Sequence, residues 1–317
     1  MSASVAFVSA ERIHRALDFP SLIDALRTAF AEGAESPLRH VHRIAPEAEG
    51  RLLLMPAWRE GEAAGVKIVT VFPGNRARGL ATVSALYLLL DGGTGHPIAL
   101  LDGEALTLRR TAAASALASK FLSRSDSRTL VVVGTGALAP YMAIAHCAVR
   151  PIERVLVWGR REDAARATAA RLASEGLPAT AAAVLDAALA EADIVTCATT
   201  AVEPILRSGW IRPGTHVDLA GGFTRGMREA DDALVARAEV YVDTYAGALA
   251  EAGDLVQPIE RGLIDRAHVR AELAELVRGE RHGRSGRGAV TLFKSVGTAL
   301  EDLCAARLAV ERARLDD

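Results

Sequence analysis

The sequence predicts an α/β protein in two parts: a Rossmann-type, doubly wound parallel sheet and a strand-rich α+β domain. Three observations carry this. After residue 125, apolar β-branched runs alternate with helical patterns. Within that alternation, Val131-Val132-Val133 stops at a glycine loop that opens an alanine-rich helix. Before it, short apolar runs lie between turn-rich segments and lead into a long helical stretch.

The opening stretch reads as helical, with Pro20 at a first turn and Leu22, Ile23, Leu26 and Phe30 on one face. From Leu52 the pattern changes to strands over 52–55, 65–72, 82–90 and 97–101. Turns such as Pro73-Gly74-Asn75 and Asp91-Gly92-Gly93-Thr94-Gly95 separate them. A helix over Glu104 to Leu122 leads into the alternating series 129–133, 137–149, 153–158, 161–175, 183–191 and 193–197. Strands over 215–220 and 240–242 continue it. From Thr298 to Leu315, Leu300, Leu303, Leu308 and Val310 recur at helical spacing, so this stretch is expected to return to the first domain. The expected division is 1–122 with 292–317 as the substrate-binding domain and 123–291 as the dinucleotide-binding domain. The substrate cleft is expected between them, at the carboxyl ends of the strands.

The glycine loop reads Gly134-Thr135-Gly136-Ala137-Leu138-Ala139, a G-x-G-x-x-A pattern at a strand-to-helix joint. Gly134 permits the turn, Gly136 lets a pyrophosphate approach the backbone, and Ala139 is small enough for close helix–strand packing. The helix start then offers free N–H groups to phosphate. The alternative is an ordinary α/β turn. At the end of the next strand, Arg154 to Trp158, an NAD-preferring fold places an acid for the ribose hydroxyls. Here Gly159-Arg160-Arg161 stands there instead. Two guanidiniums suit a 2′-phosphate, which favours NADPH over NADH, unless both arginines are a solvated helix start.

Composition narrows the class. A chain of 317 residues can bury a substantial core, and no run of eighteen apolar residues is present to span a membrane. The first residues lack a basic start followed by a long apolar region, so a signal peptide is not expected. A formal charge of −2 argues against a general nucleic-acid binder. Cys147, Cys197 and Cys304 lie in apolar contexts without metal spacing and read as buried hydrophobes of a reducing cytoplasm. The eight histidines form no pair with metal spacing, so no metal site is expected.

Lys67 interrupts a strand whose neighbours Val66, Ile68, Val69 and Val71 are apolar on both faces. A lysine buried there needs an acceptor, and desolvation would lower its pKa toward a proton donor's range. The alternative is an edge lysine that blocks strand pairing. Asp218, near a strand end, could contact nicotinamide or ribose, or cap a turn.

Several segments occur in a telling order: Pro37-Leu38-Arg39, Leu54-Met55-Pro56-Ala57, Gly65-Val66-Lys67, Leu106 to Ala113 with Arg109-Arg110-Thr111, the Gly134 loop, Glu203-Pro204-Ile205-Leu206, Met227-Arg228-Glu229 and Phe293-Lys294-Ser295-Val296-Gly297. Together they resemble the ornithine cyclodeaminase/mu-crystallin family, from about residue 20 to the C-terminus. The resemblance implies a homodimer built through the first domain, a Rossmann second domain, and chemistry at the imine or amine carbon of an α-amino acid. It implies that Arg110 holds the substrate carboxylate with Arg39 as a second candidate, that Lys67 is the active-site lysine, and that Thr82 lies near substrate. It also implies that Ser295 and Lys294 neighbour the nicotinamide. Independent of the resemblance, Arg110 reads equally as a helix-face residue paired with Glu104 or solvated, and Thr82 as a strand residue.

Members of the family differ in reaction. The cyclodeaminases carry an acid just after a Gly-Gly pair and a glutamate shortly before L-M-P; here Phe223 follows Gly221-Gly222, and Leu53 stands before Leu54-Met55-Pro56. Neither can exchange protons with a substrate. The Gly221 to Glu229 segment instead resembles the branch that reduces delta-1-pyrroline-2-carboxylate to L-proline, with the piperideine homologue as a second substrate. Ornithine cyclodeamination, alanine dehydrogenase or linear ketimine reductase activity, and a non-catalytic NADPH-binding protein are the alternatives.

Overall fold

A computed structural model describes residues 5–315. It divides the chain into two units, one ending at Arg110 and resuming at Thr298, the other running from Thr111 to Gly297.

The first unit begins with β1 (Ala6–Val8), α1 (Ala10–Ala16) and α2 (Phe19–Glu32). Asp18 caps α2 by accepting from the Ser21 N–H, and Gly33 ends it at a positive φ of 77°. Phe19, Leu22, Ile23, Leu26 and Phe30 form its buried face, as their spacing predicts. Then come β2 (His40–Ala45), β3 (Gly50–Arg59), β4 (Ala63–Val71), β5 (Val83–Asp91) and β6 (Pro97–Asp102). They form a six-stranded sheet in the order β1-β6-β5-β4-β3-β2, antiparallel except where β1 joins β6.

The sheet alternates. In β3, Leu53, Met55 and Ala57 point inward; in β4, Ala63, Gly65, Lys67 and Val69 do. The outward face is not covered within this unit. Trp58, Ile68 and Leu86 are exposed there. This corrects the expectation of a strand apolar on both faces because both are buried. It also removes the edge-lysine alternative, since β4 pairs with β3 on one side and β5 on the other.

Asp102 accepts from the Ala105 N–H at the start of α3 (Gly103–Leu122). The division between units falls inside this helix, twelve residues earlier than its end, where the sequence reading had placed it. Its second half bonds into the second unit: Ser115 to Asp218, and Ser119 and Ser123 to Arg150.

The second unit continues with β7 (Thr129–Val133), α4 (Leu138–Cys147), β8 (Arg154–Trp158), α5 (Glu162–Ser174), β9 (Ala179–Ala181), α6 (Leu185–Glu191), β10 (Ile194–Cys197), β11 (His216–Leu219), α7 (Asp232–Arg237) and β12 (Glu239–Val242). After α8 (Tyr245–Glu251) and α9 (Gly253–Glu260) come β13 (Val269–Glu272), α10 (Leu273–Arg278) and β14 (Thr291–Lys294). The eight strands are all parallel, in the order β13-β12-β14-β11-β10-β7-β8-β9. Apolar clusters cover both faces, as a parallel sheet requires. The expectation that residues 292–317 all belong with the first domain fails at β14, which lies between β11 and β12 and is fully buried.

The chain then returns to the first unit as α11 (Ala299–Leu315), which packs on α1, α2, β3, β4 and β5. Among the described residues, no helix is long and apolar enough to cross a membrane.

Candidate active site and dinucleotide loop

In the first unit, three elements converge on one buried group of charges. Lys67 comes from β4 and is 2% exposed; Arg110 comes from α3 and is 5% exposed; Glu301 and Asp302 come from the first turn of α11 and are fully buried. The Lys67 ammonium lies 2.8 Å and 2.9 Å from the two Asp302 oxygens and 3.3 Å from Thr107 Oγ1. Arg110 Nε lies 3.0 Å from Asp302 Oδ1, and Arg110 Nη1 lies 2.5 Å from Glu301 Oε2. Glu104, the partner weighed from sequence, is therefore not the one Arg110 uses. Buried charges persist only when paired, and the pairing here is mutual.

Lys67 occupies the inward face directly opposite Tyr87 of β5, which is fully buried. Gly65, two residues earlier on the same face, makes room for that ring: a Cβ at Gly65 would come within 2.2 Å of the Tyr87 hydroxyl. Burial, reinforced by the Asp302 carboxylate, holds the Tyr87 phenol well above its usual range and hence neutral. Burial lowers the Lys67 pKa to about 8, Arg110 and Arg39 push the same way, and Asp302 opposes them. Lys67 is thus a cation that can release its proton near neutral pH.

The sequence-derived residues fare unequally. Lys67 and Arg110 come together, and half-buried Arg39 is close enough to act on Lys67 electrostatically. Thr82 sits half-buried in the bend before β5, where its carbonyl accepts from the Phe72 N–H. No hydrogen bond among the described residues ties the Thr82 hydroxyl to the charge cluster. Glu301 and Asp302 escaped the sequence reading. Their signal was an acidic pair between Leu300 and Leu303, on a helix otherwise read only for its apolar spacing.

In the second unit, Gly134 takes φ 126°, and a Cβ there would come within 2.5 Å of the Ala198 carbonyl, so the tight turn needs glycine. Gly136 is different: it is exposed, and a Cβ there would meet nothing within 4 Å. The loop's outer face is open, and the first turn of α4 has no side-chain cap at Ala137. Thr135 packs against Gly159, whose Cβ would come within 2.6 Å of the Thr135 methyl. Leu138 is half-buried and Ala139 fully buried beneath the loop. Uncapped N–H groups beside an open backbone fit a pyrophosphate. Arg160 and Arg161 stand exposed at the end of β8, Arg161 as the first flank of α5.

Asp218 is a correction. It is fully buried inside the second unit, accepting from Ser115 and Thr196 and lying 3.2 Å from His146 Nε2. It neither faces a ligand nor caps a turn; it ties α3, α4 and β10 together. Ser295, also buried, donates to Asp243, whose same carboxylate oxygen accepts from the Val296 and Gly297 N–H groups. Lys294 is fully buried, 3.2 Å from Asp254 and 3.9 Å from Glu229. Despite burial, these two carboxylates raise the Lys294 pKa. Glu229 in turn accepts from the N–H groups of Thr199, Gly221 and Gly222, fixing the loops after β10 and β11. The resemblance had given Lys294 and Ser295 as nicotinamide neighbours, and the sequence named Glu229 only as part of a motif.

Comparison with known proteins agrees with this fold. The ornithine cyclodeaminase/mu-crystallin family profile matches residues 4–316. An uncharacterized protein of Schizosaccharomyces pombe is 45% identical over 98% of each chain. A delta(1)-pyrroline-2-carboxylate reductase of Colwellia psychrerythraea is 37% identical over 96% of this chain and 98% of its own. Among solved structures, the Thermococcus litoralis delta(1)-pyrroline-2-carboxylate reductase in complex with NADH and L-proline superposes with a TM-score of 0.94, at 37% identity over 98% of each chain. On a profile match of this extent and relatives at these identities, the chain belongs to the ornithine cyclodeaminase/mu-crystallin family.

Proposed function

We propose that this protein reduces the C=N bond of a cyclic imino acid, delta-1-pyrroline-2-carboxylate to L-proline, and the six-membered piperideine homologue to L-pipecolate. One methylene changes pocket preference by only about 1–3 kcal/mol, so both ring sizes fit the reading. The observation that carries it is the buried Lys67–Arg110–Glu301–Asp302 cluster.

A reduced nicotinamide, when bound, supplies the hydride. The residues that would hold it are Gly134, Thr135, Gly136, Ala137 and Leu138 at the pyrophosphate. The protein's own work is on the imino acid. Arg110 offers a guanidinium to the carboxylate, where planar two-point recognition suits it better than an ammonium. Arg39 adds a second positive charge. Lys67 gives its proton to the ring nitrogen as C2 gains hydride, so that C=N becomes CH–NH. With its pKa near about 8, Lys67 is then reprotonated from solvent.

Phe223 packs half-buried against the apolar core of the second unit, and Leu53 is buried in β3. Neither can serve the deamination and ring-closing steps of a cyclodeaminase, which favours reduction. Arg160 and Arg161 support a preference for NADPH with NADH accepted, since NADH is the cofactor found with the Thermococcus relative. The exposed apolar face of the first unit's sheet supports a homodimer formed through it. Three unbridged cysteines suit a reducing cytoplasm.

The test is cofactor absorbance with the pyrroline acid, NADPH and NADH in parallel, and product analysis. Cofactor oxidation with stoichiometric L-proline is expected. Ammonia release from ornithine, with the pyrroline acid untouched, would overturn the proposal.

A further inference from the structure

We infer that Asp302 is a positioning residue that sets both the spacing of Lys67 from Arg110 and the protonation of Lys67, with Glu301 holding the other edge of Arg110. The inference rests on the imino-acid reading above.

One carboxylate touches both candidate substrate-binding groups. Asp302 Oδ1 lies 2.9 Å from Lys67 Nζ and 3.0 Å from Arg110 Nε, and Oδ2 lies 2.8 Å from Lys67 Nζ. Lys67 and Arg110 reach this point on long side chains from different elements, a strand and a helix. Both side chains are long and have many rotamers, so without a common acceptor their tips would wander independently. Consecutive helical residues diverge by about 100°, and Glu301 and Asp302 use that divergence to grip Arg110 at two different nitrogens. The Nη1 hydrogen bond to Glu301 and the Nε–Asp302 ion-pair contact restrain the guanidinium from two sides, which favours two-point recognition of a carboxylate.

The charges also count in a useful way. Acting on Lys67 among the described residues are Asp302 from α11, Arg110 and the Thr107 hydroxyl from α3, Tyr87 opposite it on β5, and Arg39 from the segment before β2, while Glu301 holds Arg110. Tyr87 is neutral. Among the described residues, Asp302 attracts the Lys67 charge while Arg110 and Arg39 repel it. Removing the Asp302 charge takes away the attraction that opposes burial and the two arginines. Lys67 is the only one of the three cations able to shed its proton near neutral pH, so it would do so at lower pH.

Lysine is scarce here: Lys67, Lys120 and Lys294 are the three in the chain. Lysine labelled at Cε and Nζ therefore gives three side-chain signals, and Lys120→Arg and Lys67→Arg, each removing one signal, assign all three. The experiment titrates Lys67 by NMR in the full-length wild type and in Asp302→Asn, and measures kcat/KM for the pyrroline acid against pH in both. The expected result is that the Lys67 titration and the alkaline limb of kcat/KM coincide in the wild type. In Asp302→Asn both move to lower pH together by about one unit or more, a tenfold change in protonated fraction at fixed pH. An unmoved Lys67 titration in folded Asp302→Asn overturns the inference. A Lys67 titration that moves while the kcat/KM limb stays upholds Asp302 as the group tuning Lys67 and overturns Lys67 as the proton donor in the proposed function. If Asp302→Asn does not fold, Asp302→Glu keeps the charge but displaces it by one methylene. A fall in kcat/KM of tenfold or more with the limb in place then supports positioning, and an unchanged kcat/KM overturns it.

Discussion

Arg110→Met separates the structural from the chemical work of the buried cluster. Methionine replaces much of the arginine stem but removes the cation that touches both acids, leaving Glu301 fully buried without the contact at 2.5 Å. Breaking a buried ion pair from one side costs about 3–5 kcal/mol, because the remaining charge is uncompensated. Lys67 still neutralises Asp302 at 2.8 Å, so the loss concentrates on Glu301. Arg110→Met combined with Glu301→Gln removes that charge as well and should recover roughly half of the deficit, leaving the about 1–3 kcal/mol expected for an imperfectly bonded polar group. Urea unfolding, followed by two probes because the chain has two units, gives the three stabilities and the coupling between sites. A single-variant loss below about 1 kcal/mol, or a double variant that costs the sum of the two singles, would refute the account of a mutually paired cluster.

Gly136→Val should abolish cofactor binding while leaving the melting temperature nearly unchanged, because the added side chain enters open space where phosphate would lie; calorimetric titration with NADH and NADPH checks it. Arg160→Ala with Arg161→Ala should raise Kd for NADPH by tenfold or more and spare NADH, and equal losses would remove the 2′-phosphate argument. Lys67 gives opposite signs to stability and turnover above neutrality. Its folded pKa of about 8 lies below the ordinary value of 10.5, so the unfolded chain binds more protons between these values. Its contribution to stability therefore rises with pH across that window while kcat/KM falls, and urea midpoints with rates across the window check both signs.

Much of this was legible in the sequence, for identifiable reasons. A Gly that must adopt φ 126° and a Gly that must stay bare announce themselves by spacing before any fold is known. Lys67 stood out because a single charge in an apolar strand has few bland explanations. What stayed hidden were partners fixed only by tertiary structure. Glu301 and Asp302 lie some 190 residues or more from the groups they hold. Asp218 misled because the carboxyl end of a Rossmann strand is where ligand contacts concentrate, yet its side chain turns into the interior to bind Ser115, Thr196 and His146. The domain boundary was misjudged because helical periodicity runs unbroken through Arg110 and carries no mark of which half packs where.

The placement of β14 bears on how the protein is made. This strand is made after β11, β12 and β13, yet it sits in the middle of the parallel sheet, between β11 and β12. A nascent chain emerging at about 5–20 residues per second therefore carries β12 and β13 beside an unfilled gap until Thr291 to Lys294 clear the ribosome. The first unit waits as well, since α11 delivers the anions for Lys67 and Arg110. Residues 291–315 complete both units, so a chain released before they are made leaves two incomplete cores, one with an unpaired sheet edge and one lacking the Glu301 and Asp302 anions, for the quality-control machinery to recognise.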